Sequence, residues 1–376
     1  MIQPIENMRQ LKIIISGGGS GGHIFPAIAI AKSIAQKSKN VDFLFVGASD
    51  KMEMEKVPNE GFKIVGLWIS GFHRGEIIRN LFFPIKLFFS LIKSIFLIIS
   101  YKPDLVIGTG GFASGPILYV AAKFGVPTLI QEQNSYAGIT NKILSKYVDL
   151  ICVAYENMQR FFTKEKIILA GNPIRKNIIE INRDEKEIKS LFNLKSENKT
   201  VLIIGGSLGA LSINETIENG LKKLKENNLN VIWQTGTGFS QRANEKINEI
   251  NTQGITSHQF IKKIELAYEA ADIIVSRAGA IAISELCVIG KPTILIPSPN
   301  VAENHQYKNA QSLVNKNAAL LVEDSDANNK LVKEIIDLKN NSFLMNELGQ
   351  NIKKLEYKNA SDIIADHALN LITNEY

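Results

Sequence analysis

Cysteine is scarce in this chain, with only Cys152 and Cys287 among 376 residues. Two cysteines exclude a disulfide framework and a cysteine-based zinc site, and they are typical of a protein from a reducing compartment. No group of His, Cys and Asp residues has the spacing of a metal site, so we expect neither a metal nor another cofactor. The one D-x-D pair, Asp324 and Asp326, lies in a polar turn before a helical pattern, which predicts a helix cap.

Acidic residues are also scarce in the front half. Residues 1–172 carry 19 Lys and Arg against 12 Asp and Glu, whereas the remainder carries 24 against 25. The basic front half favours an anionic partner, which could be nucleic acid, an acidic membrane surface or a phosphorylated substrate. A general solubility bias is the plainer explanation, and charge alone does not separate the two.

Short apolar runs alternate with longer helical patterns along the chain. Buried strands separated by helical stretches of about 10–20 residues predict parallel sheets with right-handed crossovers. The series restarts after Gly-Asn-Pro at 171–173, and both halves begin with an apolar strand, a glycine loop and a helix. The predicted class is α/β, with doubly wound domains at 1–172 and 173–345. A C-terminal helical segment, 346–376, is expected to pack back on the first domain.

The first glycine loop, residues 16–23, joins the first strand to a helix. Glycine lets backbone N–H groups approach an anion, and the helix N-terminus adds a favourable dipole. No Walker A lysine follows, and the ribose-binding acid of a dinucleotide fold is missing about 20 positions on, which disfavours an NAD-dependent oxidoreductase. A tight structural turn is the plainer alternative. His23 opens the helix, where it is either structural or placed to exchange a proton with a substrate.

Three further loops of this type follow strands. Residues 108–116 form a second candidate anion site in the basic domain, and two such sites predict a ligand with more than one charge, such as a diphosphate. Residues 205–210 open the second domain, and residues 276–280 precede another helix. Glu285 lies about one and a half turns into that helix, where a carboxylate either reaches ribose hydroxyls or faces solvent.

Residues 81–100 form a strongly apolar segment in which fourteen of twenty residues are Leu, Ile or Phe. At 100° per residue the polar side chains fall within one arc of about 120°; they are Arg79, Lys86, Ser90, Lys93, Ser94 and Ser100. This pattern favours peripheral membrane binding through Phe88, Phe89, Ile92 and Phe96, with Lys86 and Lys93 at the headgroups, over a wholly buried helix or a span.

Seven segments resemble the MurG family in order and spacing. They are GGGSGGHIFPAIAIA, GTGGFASGP, QEQNSYAGITNK, GNPIR, GGSLGA, SRAGAIAISE and PNVAENHQYKNA. The resemblance covers essentially the whole chain. It implies a GT-B fold, in which two Rossmann-like domains face a cleft, and it implies an inverting glycosyltransferase. Such enzymes move GlcNAc from UDP-GlcNAc to the MurNAc C4 hydroxyl of undecaprenyl-diphospho-MurNAc-pentapeptide (lipid I), which gives lipid II for peptidoglycan. The expected location is the cytoplasmic face of the inner membrane, as a peripheral protein, and a nucleic-acid partner is not expected.

The resemblance also implies roles for individual residues. His23 matches a histidine that is a candidate for the catalytic base. Donor-binding roles fall on Ser20, Gly21, Gly22, Asn134, Arg175, Ser207, Ile261, Gly279, Ala280, Ile281, Ala282, Ile283, Ser284, Glu285, His305 and Gln306. In this set Ile261 matches the residue whose backbone reads uracil, Glu285 the ribose-binding glutamate, and His305 or Gln306 a contact to GlcNAc. The acceptor diphosphate is expected at Gly18, Gly19, Gly110, Gly111 and Ser114.

Three positions depart from the family pattern. Ser20 stands where threonine is usual, Leu208 replaces a common glutamine in the third loop, and Gln131 replaces a histidine before Glu-Gln-Asn. Two alternatives remain open from the sequence. A UDP-GlcNAc 2-epimerase shares the fold and the donor but needs neither the apolar helix nor the second glycine loop, and a non-catalytic nucleotide-sugar binding module needs no base.

Overall fold

The computed structural model describes residues 9–71, 80–179, 185–250 and 253–373. The chain forms two compact units, the first comprising residues 1–174 and 359–376 and the second residues 175–358. The helix Ser342–Lys353 belongs to the second unit, so the segment that returns to the first unit begins at Asn359 rather than at the expected residue 346.

The described part of the first unit contains a seven-stranded parallel sheet in the order β3-β2-β1-β4-β5-β6-β7. Its strands are β1 (Leu11–Ser16), β2 (Val41–Ala48), β3 (Lys63–Leu67), β4 (Leu105–Gly108), β5 (Thr128–Glu132), β6 (Leu150–Val153) and β7 (Ile167–Leu169). Apolar runs such as Ile13–Ile15 are wholly buried, because helices cover both faces of a parallel sheet.

Helices cover the two faces of this sheet. They are α1 (Gly21–Lys37), α2 (Glu53–Asn59), α3 (Phe83–Tyr101), α4 (Ser114–Lys123), α5 (Ile139–Leu144) and, from the C-terminal segment, α15 (Ala360–Thr373). One core lies between the sheet and α1, α2 and α15, and the other between the sheet and α3, α4 and α5. Hydrogen bonds from Ser33 to Asp362 and from Lys37 to Asp366 join α1 to α15.

The second unit has its own parallel sheet, with six strands among the described residues in the order β10-β9-β8-β11-β12-β13. The strands are β8 (Lys199–Ile204), β9 (Leu229–Gln234), β10 (Ile255–His258), β11 (Ile273–Ser276), β12 (Thr293–Leu295) and β13 (Leu320–Leu321). The helices are α6 (Lys176–Ile179), α7 (Glu185–Leu191), α8 (Leu211–Glu226), α9 (Ser240–Ile250), α10 (Ile264–Ala270), α11 (Ala280–Ile289), α12 (His305–Val314), α13 (Ala327–Asn340) and α14 (Ser342–Lys353). Trp233 is the largest fully buried side chain and lies in this unit's core.

Each sheet has one point at which the strand order reverses. In the first unit β1 and β4 are neighbours and the chain runs outward from them in both directions; β8 and β11 have the same relation in the second unit. Ligands of open parallel sheets bind beyond the carboxyl ends of the strands at such a point. The four glycine-containing loops follow these four strands, so the topology pairs the first loop with the second and the third with the fourth.

Candidate active site

The first and second glycine loops touch in the first unit. The Gly18 amide donates to the Gly110 carbonyl at 3.4 Å, and a side chain at Gly111 would lie 2.2 Å from the Gly18 oxygen. Gly110 and Gly111 have φ values of +94° and +81°, which L side chains rarely adopt. Glycine is therefore required here by both the backbone conformation and the close approach of the two loops.

His23, in the first turn of α1, lies against the second loop. Its Nδ1 is 2.9 Å from the Thr109 carbonyl oxygen and 3.0 Å from Gln133 Oε1, while the Thr109 hydroxyl donates to the His23 carbonyl at 2.7 Å. A carbonyl oxygen only accepts hydrogen bonds, so Nδ1 carries a proton and the lone pair of the neutral ring lies on Nε2. This tautomer suits a proton acceptor that acts through Nε2.

The first loop holds a carboxylate of the protein itself. Glu53, fully buried at the start of α2, accepts from the Gly19 amide at 3.2 Å through both oxygens and from the Ala48 amide at 3.0 Å. A side chain at Gly18 would come within 2.1 Å of Glu53 Oε1. The Gly19 amide, which the resemblance assigns to the acceptor diphosphate, is thus bonded to the Glu53 carboxylate, and that assignment stays a prediction.

The second glycine loop has the geometry expected of an anion site. Gly111 precedes α4, and the Ser114 hydroxyl in the first turn of that helix donates to the Gly111 carbonyl at 2.9 Å. No acidic residue lies in the first turn of α4, so the helix dipole favours an anion there. Of the predicted diphosphate residues, those of the second loop thus remain the better placed.

Asn134 follows β5 and is held by its neighbour in the chain. The buried Glu132 carboxylate accepts from the Asn134 backbone and side-chain amides at 3.0 and 3.2 Å, and its other oxygen accepts from Gly138 and Asn141. Glu132 is not among the predicted site residues, although it stands beside Asn134 in the same motif. Its carboxylate fixes the side chain expected to contact a sugar.

The third and fourth loops line a cavity of about 470 Å³ in the second unit. Gly205, Gly206, Gly279 and Ala282 contribute to its wall, and a side chain at Gly279 would meet open space. The adjoining helix α11 has no acidic residue in its first turn, which leaves its N-terminus suited to a phosphate.

Two predicted donor residues of α11 point elsewhere. The Ile283 side chain is 1% exposed and lies in the core, so the expectation that it contacts the donor is wrong for its side chain. The Ser284 hydroxyl bonds to the Ala280 carbonyl one turn earlier. Because only one face of a helix meets a ligand, residues of its buried face cannot all belong to the site.

Glu285 is 3% exposed and lies under Arg175. Arg175 Nε and a terminal nitrogen each donate to one carboxylate oxygen at 2.9 Å, and the Tyr268 hydroxyl donates to Oε2 at 3.3 Å. Burial raises the pKa of Glu285, an effect that Arg175 and Tyr268 oppose, and burial raises the pKa of Tyr268 as well. The alternative of a solvent-facing Glu285 is therefore excluded, and Tyr268 is a partner that sequence patterns did not indicate.

Gln234 links two parts of the second unit's site. Its buried amide donates to the Gly206 carbonyl at 3.0 Å and accepts from the Ile261 amide at 2.9 Å. The Ile261 side chain is buried and its backbone amide is bonded to Gln234, and the expectation that its backbone reads uracil stays a prediction. Phe260, more than half exposed, stands beside it and was not predicted.

The structure separates His305 from Gln306. Gln306 lines the cavity and its Oε1 accepts from the Ser298 amide at 2.8 Å, whereas His305 does not contribute to the cavity wall. Both residues open α12 directly after Glu303 and Asn304, which have left-handed φ values of 55° and 53°. This pair of turns aims Gln306 toward the cavity.

Asp324 is not a helix cap. It pairs with Arg277, which also donates to the Ser212 hydroxyl and the Ile296 carbonyl, and Ser212 donates to Asp324 at 2.6 Å. Asp326 makes no side-chain cap and pairs instead with Lys330 one turn on. The prediction that this pair caps a helix is therefore wrong, because the Arg277 guanidinium in the wall of the cavity binds the Asp324 carboxylate.

Helix α3 turns its polar stripe toward the protein. Lys93 donates to the Gly66 carbonyl at 2.7 Å, Ser90 to the Trp68 carbonyl at 3.0 Å, and Lys86 to the Ser70 hydroxyl at 3.2 Å. The opposite face is exposed over a row of large apolar side chains; these are Phe82, Ile85, Phe88, Phe89, Ile92, Ile95, Phe96 and Ile99. Lys93 thus bonds to β3 and Lys86 to the segment that follows it, instead of pointing to headgroups, and Arg79 lies outside the described residues.

Comparison with known sequences agrees with this architecture. The N-terminal domain of glycosyltransferase family 28 matches residues 13–153, and the C-terminal domain of that family matches residues 200–365. A UDP-N-acetylglucosamine–N-acetylmuramyl-(pentapeptide) pyrophosphoryl-undecaprenol N-acetylglucosamine transferase from Christiangramia forsetii is 48% identical over 365 residues, covering 97% of this chain and 99% of that protein. Two doubly wound units with paired loops at their switch points define a glycosyltransferase of the GT-B class.

Solved structures narrow the assignment. The chain resembles MurG of Acinetobacter baumannii with a TM-score of 0.78 and 26% identity, covering 96% of this chain and 99% of that one. The chain belongs to the MurG family of N-acetylglucosamine transferases. A UDP-GlcNAc 2-epimerase from Neisseria meningitidis, with a TM-score of 0.65 and 14% identity over 96% of this chain and all of its own, shares the fold alone. The predictions of family and fold class are confirmed.

Proposed function

We propose that this protein transfers GlcNAc from UDP-GlcNAc to the MurNAc C4 hydroxyl of lipid I and thereby forms lipid II. The observation that carries the proposal is its full-length relationship to transferases named for that donor and that acceptor. The two loop pairs support the proposal, since the second unit's cavity suits the donor and the first unit's loops, with His23, suit the acceptor.

The second unit offers positive potential to the departing UDP. The first-turn amides of α11 and the loop before α8 face the cavity, and neither brings an acidic residue in its first turn. Asp324 largely neutralises Arg277, so Arg277 shapes the wall rather than serving as a free charge. Preorganised donors of this kind stabilise charge as it develops on the leaving phosphate, because they need no reorganisation during the reaction.

The acceptor hydroxyl needs a base. His23 holds its proton on Nδ1, where the Thr109 carbonyl accepts it, and the Nε2 lone pair takes the proton of the attacking hydroxyl. Attack at the sugar carbon from the side opposite UDP inverts its configuration, which turns the α-linked donor into a β1→4 product. No covalent intermediate with the enzyme is needed.

The exposed face of α3 is the proposed membrane contact. Phe96 and Phe88 are 69% and 60% exposed, and the exposure of so much apolar surface to water is unfavourable. Four such side chains entering lipid contribute about 6–12 kcal/mol gross, an upper bound before ordering costs. The inverted polar stripe supports this assignment, since the polar groups bond to the protein and leave the apolar row outside.

Peripheral contact is favoured over a span. With 19 residues and a mean hydropathy of 1.8, α3 is long and apolar enough to cross a bilayer. However, it joins β3 to β4, and both strands belong to one sheet. A crossing helix would place these strands on opposite sides of the membrane and break the sheet. The protein is thus proposed to lie on the cytoplasmic face, where its lipid-linked acceptor is presented.

UDP release tests the proposal. Purified protein should release UDP from UDP-GlcNAc when lipid I is supplied in detergent, and it should not do so when the acceptor is omitted or its C4 hydroxyl is blocked. Release without acceptor would indicate a hydrolase, and donor binding without release would indicate an epimerase or a binding module.

A further inference from the structure

Gln133 is a buried amide that meets the ring of His23. It follows β5, is 1% exposed, and places Oε1 at 3.0 Å from His23 Nδ1. The same Nδ1 lies 2.9 Å from the Thr109 carbonyl, so the Nδ1 proton is shared between two neutral oxygens.

The orientation of this amide follows from its other contacts. Gln133 Nε2 lies 2.7 Å from the Thr109 carbonyl and 3.1 Å from the Gln131 carbonyl, and it also meets the Gln131 side-chain oxygen. All three partners are acceptors, so this end of the amide must be the NH₂ group. Oε1 therefore faces the imidazole. If the amide were flipped, its NH₂ group would face the His23 Nδ1–H and its oxygen would face the carbonyl oxygens.

A closed set of buried amides holds Gln133 in this position. Gln131 Nε2 donates to Asn172 Oδ1 at 2.9 Å, and Asn172 Nδ2 donates to the Gln133 carbonyl at 3.0 Å. All three side chains are buried. Rotation of any one of them would leave a buried donor unpaired, at a cost of about 1–3 kcal/mol.

We propose that Gln133 is a positioning residue for the transfer reaction. Together with Thr109 it keeps the proton on His23 Nδ1 and fixes the ring plane, so that the Nε2 lone pair meets the acceptor hydroxyl. This inference rests on the proposed function, with His23 as the base.

In the proposed transfer step, each bond that forms is matched by one that breaks. The acceptor O–H bond breaks and an Nε2–H bond forms on His23, while the acceptor oxygen bonds to the sugar carbon. The bond from that carbon to the UDP oxygen breaks, and UDP leaves with the electron pair. The resulting imidazolium is stabilised by two neutral oxygens, Gln133 Oε1 and the Thr109 carbonyl, instead of by a carboxylate.

Gln133→Met and Gln131→Met form a matched pair of variants. Both remove a buried amide from the same set, but only Gln133 touches His23. A general base contributes about 10²–10⁴-fold, so losing its orientation while keeping the base should lower kcat about 10- to 100-fold in Gln133→Met. The KM values for both substrates should stay within about twofold, and Gln131→Met should lower kcat less than Gln133→Met does, since Gln133 keeps its contact with the ring and its bonds to the Thr109 and Gln131 carbonyls.

The outcomes separate the inference from the proposed function. Wild-type protein that releases no UDP with lipid I would defeat the proposed function itself. If wild type turns over and Gln133→Met matches it, or if both variants lose kcat equally, the positioning role is wrong. Should Gln133→Met fail to fold, ¹⁵N NMR of the histidine rings in wild type decides: protonated Nδ1 and unprotonated Nε2 at His23, assigned with His23→Gln, support the inference, and the reverse tautomer overturns it.

Discussion

Arg175 and Glu285 bind each other through two hydrogen bonds of 2.9 Å within the second unit, and the carboxylate lies almost entirely beneath the guanidinium. A ligand hydroxyl that uses Glu285 must therefore share the carboxylate with Arg175 or displace it. Since Arg175 is about half exposed, its side chain has room to move while Glu285, fixed also by Tyr268, does not. The pair joins two residues that the resemblance assigned separately to the donor.

Replacing Glu285 should weaken donor binding. A lost hydrogen bond to a charged acceptor costs about 1.5–3 kcal/mol, so the KM for UDP-GlcNAc should rise about 10- to 150-fold in Glu285→Ala. The KM for lipid I serves as the internal control and should hardly change. Steady-state kinetics with each substrate varied in turn measures both, and an unchanged donor KM would remove Glu285 from the donor site.

The raised pKa of Glu285 gives a pH dependence with a defined sign. Burial makes the folded protein bind this proton more tightly than the unfolded chain does. The carboxyl's contribution to the free energy of unfolding is then greatest below the ordinary carboxyl pKa and is lost as pH rises through the raised value. The stability of wild type relative to Glu285→Gln should accordingly fall with rising pH across that interval. Urea unfolding at a series of pH values measures it, and a difference that grows with pH would mean that the Arg175 pair outweighs burial.

Membrane attachment should depend on the exposed face of α3 alone. Single changes to Ser at Phe88, Phe89, Ile92 and Phe96 should each reduce flotation with anionic liposomes and leave the melting temperature within about 2 °C of wild type, because these side chains pack on little. Ile98→Ala, on the buried face of the same helix, is the control and should cost about 2–5 kcal/mol of stability. Loss of stability in the whole series with no change in flotation would show that the membrane contact lies elsewhere.

Glu53 should be essential for stability of the first loop. Glu53→Ala leaves the buried Ala48 amide without its partner, at a cost of about 1–3 kcal/mol, whereas Gly19 is exposed and its amide can bond to water instead. Glu55→Ala on the same helix removes an exposed carboxylate paired with Lys56 and should change stability by less than about 0.5 kcal/mol. Urea unfolding compares the two; equal stability would mean that water or another group satisfies the loop amides.

Most strands could be predicted from the sequence because helices cover both faces of a doubly wound sheet. Each buried strand is then a short, continuous apolar run. The strand Ile167–Leu169 was not predicted, since three residues at a sheet edge carry little pattern. Periodicity also found the polar stripe of α3 but not its direction. Amphipathic helices of soluble proteins normally place polar groups outward, and only the bonds from Lys93 to β3 and from Ser90 to the residue after it reveal the inversion.

The site was predictable where a local motif marks it, as for the glycine loops, His23 and Gln306. The residues that hold those groups were not, because each partner lies far away in the chain. Glu53 binds a loop 34 residues earlier, Gln133 meets a histidine 110 residues earlier, and Arg175 meets a glutamate 110 residues later. Such pairings arise from tertiary contact between strands and loops, which a single sequence does not display.

The most direct test of the account follows the sugar itself. Wild-type protein is incubated with UDP-GlcNAc labelled in the sugar and with lipid I, the lipids are extracted, and the product is examined by mass spectrometry and by NMR of the new anomeric centre. The account predicts that the label moves to the lipid fraction, that lipid I gains one N-acetylhexosamine, and that the linkage is β1→4. Label that stays in the aqueous phase, as unchanged donor or as an epimerised sugar nucleotide, would contradict it.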